Sequence, residues 1–116
     1  MNEAQFTRKI CDELRKLGCL IFVAAGNKFG TAGWPDRGII TSDGIMYWLE
    51  FKVADGKLSN LQHYQMERIY TRNKKLAYVI RMPGVIEDYN GKQLGTFTDG
   101  KNLLEWLKND ADKMEV

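Results

Sequence analysis

The chain has 116 residues, 17 Lys and Arg against 15 Asp and Glu, a net charge of +2, and 44% apolar residues. This is the length of one domain with a real core, the composition of an ordinary globule, and a charge too small to predict a polyanionic partner alone. No apolar run reaches the roughly 20 residues of a membrane span, Met1-Asn2-Glu3-Ala4-Gln5 does not read as a signal peptide, and Cys11 and Cys19 follow no metal or redox spacing, so reduced, half-buried thiols of a cytoplasmic protein are expected.

Phe6, Ile10, Leu14 and Leu17 recur at helical spacing, which predicts an amphipathic helix over residues 2–17 stopped by Gly18. Leu20–Ala25 reads as an apolar strand, and residues 26–34 (GNKFGTAGW) as a glycine-rich loop. Strands follow over Asp36–Thr41 and Ile45–Val53, joined by the turn residues Ser42-Asp43-Gly44. The later strand is almost continuously apolar, as befits a central strand buried on both faces. Ser59 caps a second helix that runs to about Asn73. Leu76–Met82 is a strand stopped by Pro83-Gly84. Val85–Phe97 reads as a ragged hairpin turning at Asn90-Gly91. Thr98 caps a last helix that buries Leu103, Leu104 and Leu107, with Trp106 at its edge.

The residues that carry chemistry lie at the ends of the two middle strands. Side chains alternate along a strand, so Glu50 and Lys52 share a face and Phe51 takes the other. Antiparallel pairing through the Ser-Asp-Gly turn brings Asp36 near both. Pro35 has a fixed φ and keeps Trp34 extended, so the approach to Asp36 is stiff. Two carboxylates, with a backbone carbonyl such as that of Phe51, suit a hard cation such as magnesium or manganese. Lys52 then holds an attacking water or offsets negative charge. A solvated, charged strand end is the plainer reading. Against it stands the burial expected of this strand, because buried charges are costly unless paired.

Pro35-Asp36 followed by Glu50-Phe51-Lys52 resembles the PD-(D/E)xK nuclease signature. Within it, Glu3 on the opening helix, Gly33-Trp34-Pro35-Asp36, Leu49-Glu50-Phe51-Lys52, Gly56-Lys57-Leu58-Ser59 leading to Gln62, and Tyr78-Val79-Ile80-Arg81 resemble the virus-type replication-repair nuclease (VRR-NUC) domain over residues 3–81. The resemblance implies an α/β fold with a restriction-endonuclease-like αβββαβ core, a mixed central sheet flanked by helices, spanning 1–116 as a single domain. It also implies a magnesium- or manganese-dependent DNA endonuclease, a hydrolase leaving a 5′-phosphate and a 3′-hydroxyl. Small members of the family are expected to be homodimers acting on branched DNA in the manner of Holliday junction resolvases, and a short nuclease of this kind fits a phage or bacterial source.

By the same resemblance Glu3 completes the metal site, directly or through water; otherwise it is a carboxylate favourable to a helix N-terminus. Gln62 stands three residues after Ser59, the spacing of a capping box. The resemblance has it orient the attacking water or touch the scissile phosphate, and a glutamine committed to a cap is less free to do so. Gln65, about one turn on, is the substitute. In the glycine-rich loop, no Gly-Lys-Ser or Gly-Lys-Thr supports a phosphate loop. Contact with DNA is the alternative, with Lys28 and Asn27 on phosphates and Phe29 or Trp34 stacked on an unpaired base; packing is the plainer role for Trp34. From Phe51 to Val85 the bases Lys52, Lys57, Arg68, Arg72, Lys74, Lys75 and Arg81 face only Asp55 and Glu67, a balance that attracts a phosphate backbone or simply solvates a helix face. The lone His63 cannot form a zinc site with the two cysteines, and no Gly-x-Ser-x-Gly elbow is present. Two rivals remain: a non-cleaving DNA-binding module on the same fold, and an RNA-directed nuclease, for which no recognition motif is seen.

Overall fold

The computed structural model describes residues 1–24, 32–73 and 76–114. The elements are α1 (Glu3–Lys16), β1 (Leu20–Val23), β2 (Arg37–Ile40), β3 (Met46–Lys52), α2 (Asn60–Arg72), β4 (Ala77–Arg81), β5 (Val85–Glu87), β6 (Gln93–Thr96) and α3 (Gly100–Met114). Among the described residues six strands form one sheet in chain order. Every neighbouring pair is antiparallel except β3 and β4. Those two run parallel because α2 lies between them as a crossover. The fold is α/β with a mixed sheet flanked by helices, and the αβββαβ order expected from the sequence is present.

The alternation along β3 decides what covers each face. Tyr47, Leu49 and Phe51 are fully buried among Phe6, Ile10 and Leu14 of α1 and Leu103, Leu104 and Leu107 of α3. Trp48, Glu50 and Lys52 face the other way, toward α2, whose Met66 and Ile69 pack on Ala77 and Val79. α2 covers only the middle of that face. β1 is an edge strand, and Leu20 (69% exposed), Phe22 and Val23 remain open, which an apolar sequence did not announce. Gly38 makes room for the Phe22 ring: a Cβ there would stand 2.2 Å from it.

Several boundaries differ from expectation. β2 begins at Arg37, so Asp36 lies just before the ladder. α3 is capped by Asp99, whose Oδ1 accepts from the Asn102 amide at 2.8 Å. Thr98 stands one residue too early, and its own amide donates to Asn102 Oδ1. The ragged hairpin is β5 and β6, with a register shift at Ile86/Glu87 and Gly91 at φ +84°. Both cysteines are more buried than half. Among the described residues no helix is long and apolar enough to cross a membrane.

Candidate active site

Asp36 and Glu50 meet because of the β2–β3 register. Arg37 pairs with Leu49, so one step further Asp36 stands opposite Glu50. The two carboxylates bind each other's strand: the Asp36 amide donates to Glu50 Oε1 at 3.1 Å, and the Phe51 amide donates to Asp36 Oδ2 at 3.0 Å. The next residue back is Pro35, which has no N–H to offer the ladder. A strand residue directs its N–H and C=O to the same edge. The Phe51 carbonyl therefore projects toward Asp36, where the residue opposite cannot donate to it.

Glu50 is 2% exposed. Its Oε2 lies 3.6 Å from Lys52 Nζ and 3.4 Å from Gln62 Nε2. Burial pushes its carboxyl up to about 8, the neighbouring Asp36 charge adds to this, and Lys52 opposes it. Glu50, nearly dry and beside a second carboxylate, thus keeps its proton well above the ordinary carboxylate range.

Gln62 forms the cap and also reaches Lys52 and Glu50. Its amide donates to Ser59 Oγ at 3.1 Å, and its Oε1 accepts from the Ser59 amide at 2.9 Å. The same Oε1 accepts from Lys52 Nζ at 3.1 Å. The cap fixes the side chain where it meets Lys52 and Glu50, so capping positions it rather than diverting it. Gln65 is buried elsewhere: its Nε2 donates to the Ala32 carbonyl and its Oε1 accepts from Arg68. It ties the Ala32-Gly33-Trp34 turn to α2. Gly33, at φ +78°, lies so close to Leu61 that a Cβ would stand 2.6 Å from Leu61 Cγ.

Glu3 is half-buried and lines a cavity of about 620 Å³ with Asp36, between α1 and the ends of β1 and β2. Arg8, Arg15 and Arg37 line it too. The sequence reading passed over these three. The signal was available: positions 4, 8, 11 and 15 make one helical stripe facing the cavity, and Arg37 directly follows Asp36. Among the described residues no three His, Cys, Asp or Glu side chains converge on one cation position. The converging pair is Asp36 and Glu50, with Glu3 across the cavity.

Other expected contacts fall away from this pair. Trp34 is half-buried, with its ring edge-to-face on Trp48 at 5.4 Å. Lys57 is exposed and borders a separate groove with His63, Arg81 and Tyr89. Arg81 is a structural group: it pairs with Glu87 at 3.0 Å and donates to the Val53 carbonyl, holding the turn after Lys52. His63 meets Asn90 and Tyr89. Asn27, Lys28, Phe29, Lys74 and Lys75 lie outside the described residues.

No family profile and no curated protein matches the chain. Among solved structures the fold is similar to that of Hjc from Archaeoglobus fulgidus, a Holliday junction resolvase from an archaeal hyperthermophile. The TM-score is 0.55 at 18% identity, over 87% of this chain and 92% of that one. At that identity the likeness is one of fold, and the fold is restriction-endonuclease-like.

Proposed function

We propose that the chain is a divalent-metal-dependent DNA endonuclease of the PD-(D/E)xK type, close to the VRR-NUC domain and selective for branched DNA. The observation that carries this is the Asp36–Glu50 pair, bonded across the β2–β3 register, with Lys52 and Gln62 on Glu50. The fold likeness to a Holliday junction resolvase supports the choice of substrate.

The donor set fits magnesium or manganese. It offers two carboxylates and a carbonyl edge, all hard oxygen, and the buried Glu50 carries a proton in place of a counter-charge. Asp36 and Glu50 would hold the ion, the Phe51 carbonyl would add a ligand, and Glu3 would reach it through water. When bound, such an ion offsets phosphate charge and lowers the pKa of water in its shell.

The chain's own groups do the rest. Lys52 is held between Gln62 Oε1 and Glu50 Oε2, so its ammonium has a fixed position from which to donate to an attacking water or a phosphate oxygen. Gln62 limits where that ammonium sits. Arg8, Arg15 and Arg37 give the adjoining cavity the charge to take the substrate's phosphates. A homodimer would supply two such sites about a twofold and cut two strands of a junction symmetrically.

The test is incubation with a four-way junction, a flap and a linear duplex, each with manganese. Branched substrates are cut faster than the duplex, and Lys52→Ala loses cutting. A well-folded preparation that cuts none of them, identically to Lys52→Ala, leaves the non-cleaving DNA-binding reading in place.

A further inference from the structure

A second cleft opens beside the carboxylate pair, on the sheet face that α2 only partly covers. Trp34, Trp48, Arg68, Ile69, Arg72 and Asn73 enclose about 230 Å³. Its position follows from the chain. Trp48 stands two residues before Glu50 on β3 and so faces the same way; Trp34 lies before β2 and reaches the cleft through its ring contact with Trp48 at 5.4 Å. Two strand residues span roughly 7 Å. That is the reach of one to two nucleotides, whose rise in a duplex is about 3.4 Å per strand. The two indoles meet edge-to-face, and Phe22 packs on Trp48 in the same way at 5.5 Å.

The opposite wall is cationic. Arg68 and Arg72 are both exposed on the last turns of α2. Arg68 NH1 donates to Gln65, and its guanidinium stacks over Tyr64 at 5.4 Å. Arg72 NH1 donates to the Arg68 carbonyl at 3.1 Å and to Thr71 Oγ1 at 3.4 Å. A guanidinium carries five N–H donors, so both keep capacity for a ligand. Asn73 is tied to the Met46 carbonyl at 3.2 Å. Among the described residues no carboxylate lines this cleft. Its volume is below the roughly 300 Å³ at which drug-sized pockets begin, which is room for one ring system rather than for a duplex.

We propose that this cleft receives a single unpaired nucleotide of the substrate, its base against Trp34 and Trp48 and its phosphate on Arg68 and Arg72. This deepens the nuclease reading and rests on it for the position of the scissile phosphate. It gives a physical basis for preferring a flap: a fully paired duplex keeps its bases stacked and has none to offer, whereas a flap carries unpaired bases beside its branch point. Stacking on an aromatic side chain tolerates any base, so selection would be for unpaired structure and not for sequence.

The experiment compares a flap DNA carrying one unpaired 2-aminopurine beside the branch with a fully paired duplex of equal length. Binding is followed in EDTA, so that nothing is cut, by 2-aminopurine fluorescence and by competition. Wild type quenches the unpaired probe and binds the flap at least about fivefold tighter than the duplex. Trp48→Leu loses about fivefold or more on the flap alone. Because that change also removes packing from the sheet, Arg72→Ala, on an exposed helix end, must shift flap binding in the same direction. Equal affinity of wild type for flap and duplex, or variants that weaken both alike, overturns the proposal. Cutting in manganese is scored in parallel. Cutting without flap preference ends the cleft and spares the nuclease. Flap-selective binding without any cutting ends the nuclease and spares the cleft.

Discussion

Glu50→Gln isolates the electrostatics of the site without needing a substrate. The carboxyl of Glu50 has an ordinary value near 4.5 and is raised to about 8, first by burial and then by Asp36. A group whose folded value lies above its unfolded value contributes stability that is complete below pH 4.5 and is lost as pH rises through 8. Between those limits the folded protein binds close to one more proton than the unfolded chain, so stability falls by up to about 1.4 kcal/mol per pH unit. From about pH 5.5 to about pH 7.5 the loss is about 2–3 kcal/mol, or about 10 °C of Tm for a domain of this size. Glutamine has no proton to lose. Its amide sets a donor against Lys52 Nζ or Gln62 Nε2, so the absolute Tm of the variant carries its own offset. The Tm of Glu50→Gln minus that of wild type, measured in EDTA, rises by about 10 °C over that range. A difference constant with pH would show that Glu50 is not held protonated by its surroundings, and the reasoning from burial and Asp36 would fail. Manganese reverses the trend in wild type, because the ion binds the deprotonated carboxylate; its Tm increment grows with pH and levels off above about pH 8.

Further outcomes follow from particular contacts. Lys52→Ala keeps the manganese-induced Tm increment while losing cutting, since the ammonium is not an oxygen donor; equal loss of both in thermal shift and nuclease assays would make it part of the cation site. Ser59→Ala removes the cap, lowers stability by about 1 kcal/mol, and slows cutting by releasing Gln62; urea denaturation and single-turnover rates separate the two effects. Gly33→Ala meets Leu61 at a positive φ and destabilises by about 1–3 kcal/mol, moving the Trp34-Pro35-Asp36 segment and weakening manganese binding. Gly44→Ala, also at positive φ but with nothing within 4 Å of the new Cβ, costs only about 1 kcal/mol and leaves manganese binding alone.

The topology was legible wherever a period or a turn fixed it. Helical spacing announced α1, the alternation of β3 put Glu50 and Lys52 on one face, and Ser42-Asp43-Gly44 set the register that carries Asp36 to Glu50. What stayed hidden was relational. An apolar strand reads alike at an edge and at the centre, so the exposure of Leu20 and Val23 could not be seen. A basic residue reads alike on a surface and in an ion pair, so Arg81 counted among candidate DNA contacts although Glu87 and the Val53 carbonyl occupy it. Arg8 and Arg15 needed the packing of α1 against β1 and β2 before their stripe had a cavity to face. That the cap on Ser59 leaves Gln62 Oε1 within reach of Lys52 Nζ is a distance the spacing of the residues does not carry.

The most direct measurement is a manganese titration of wild type and Asp36→Asn, followed by the paramagnetic signal of free manganese at about pH 8, with cutting of a four-way junction scored on the same samples. Wild type takes up manganese and cuts; Asp36→Asn, still folded, does neither. Manganese uptake and cutting that persist unchanged in Asp36→Asn would mean that the Asp36–Glu50 pair is not the cation site.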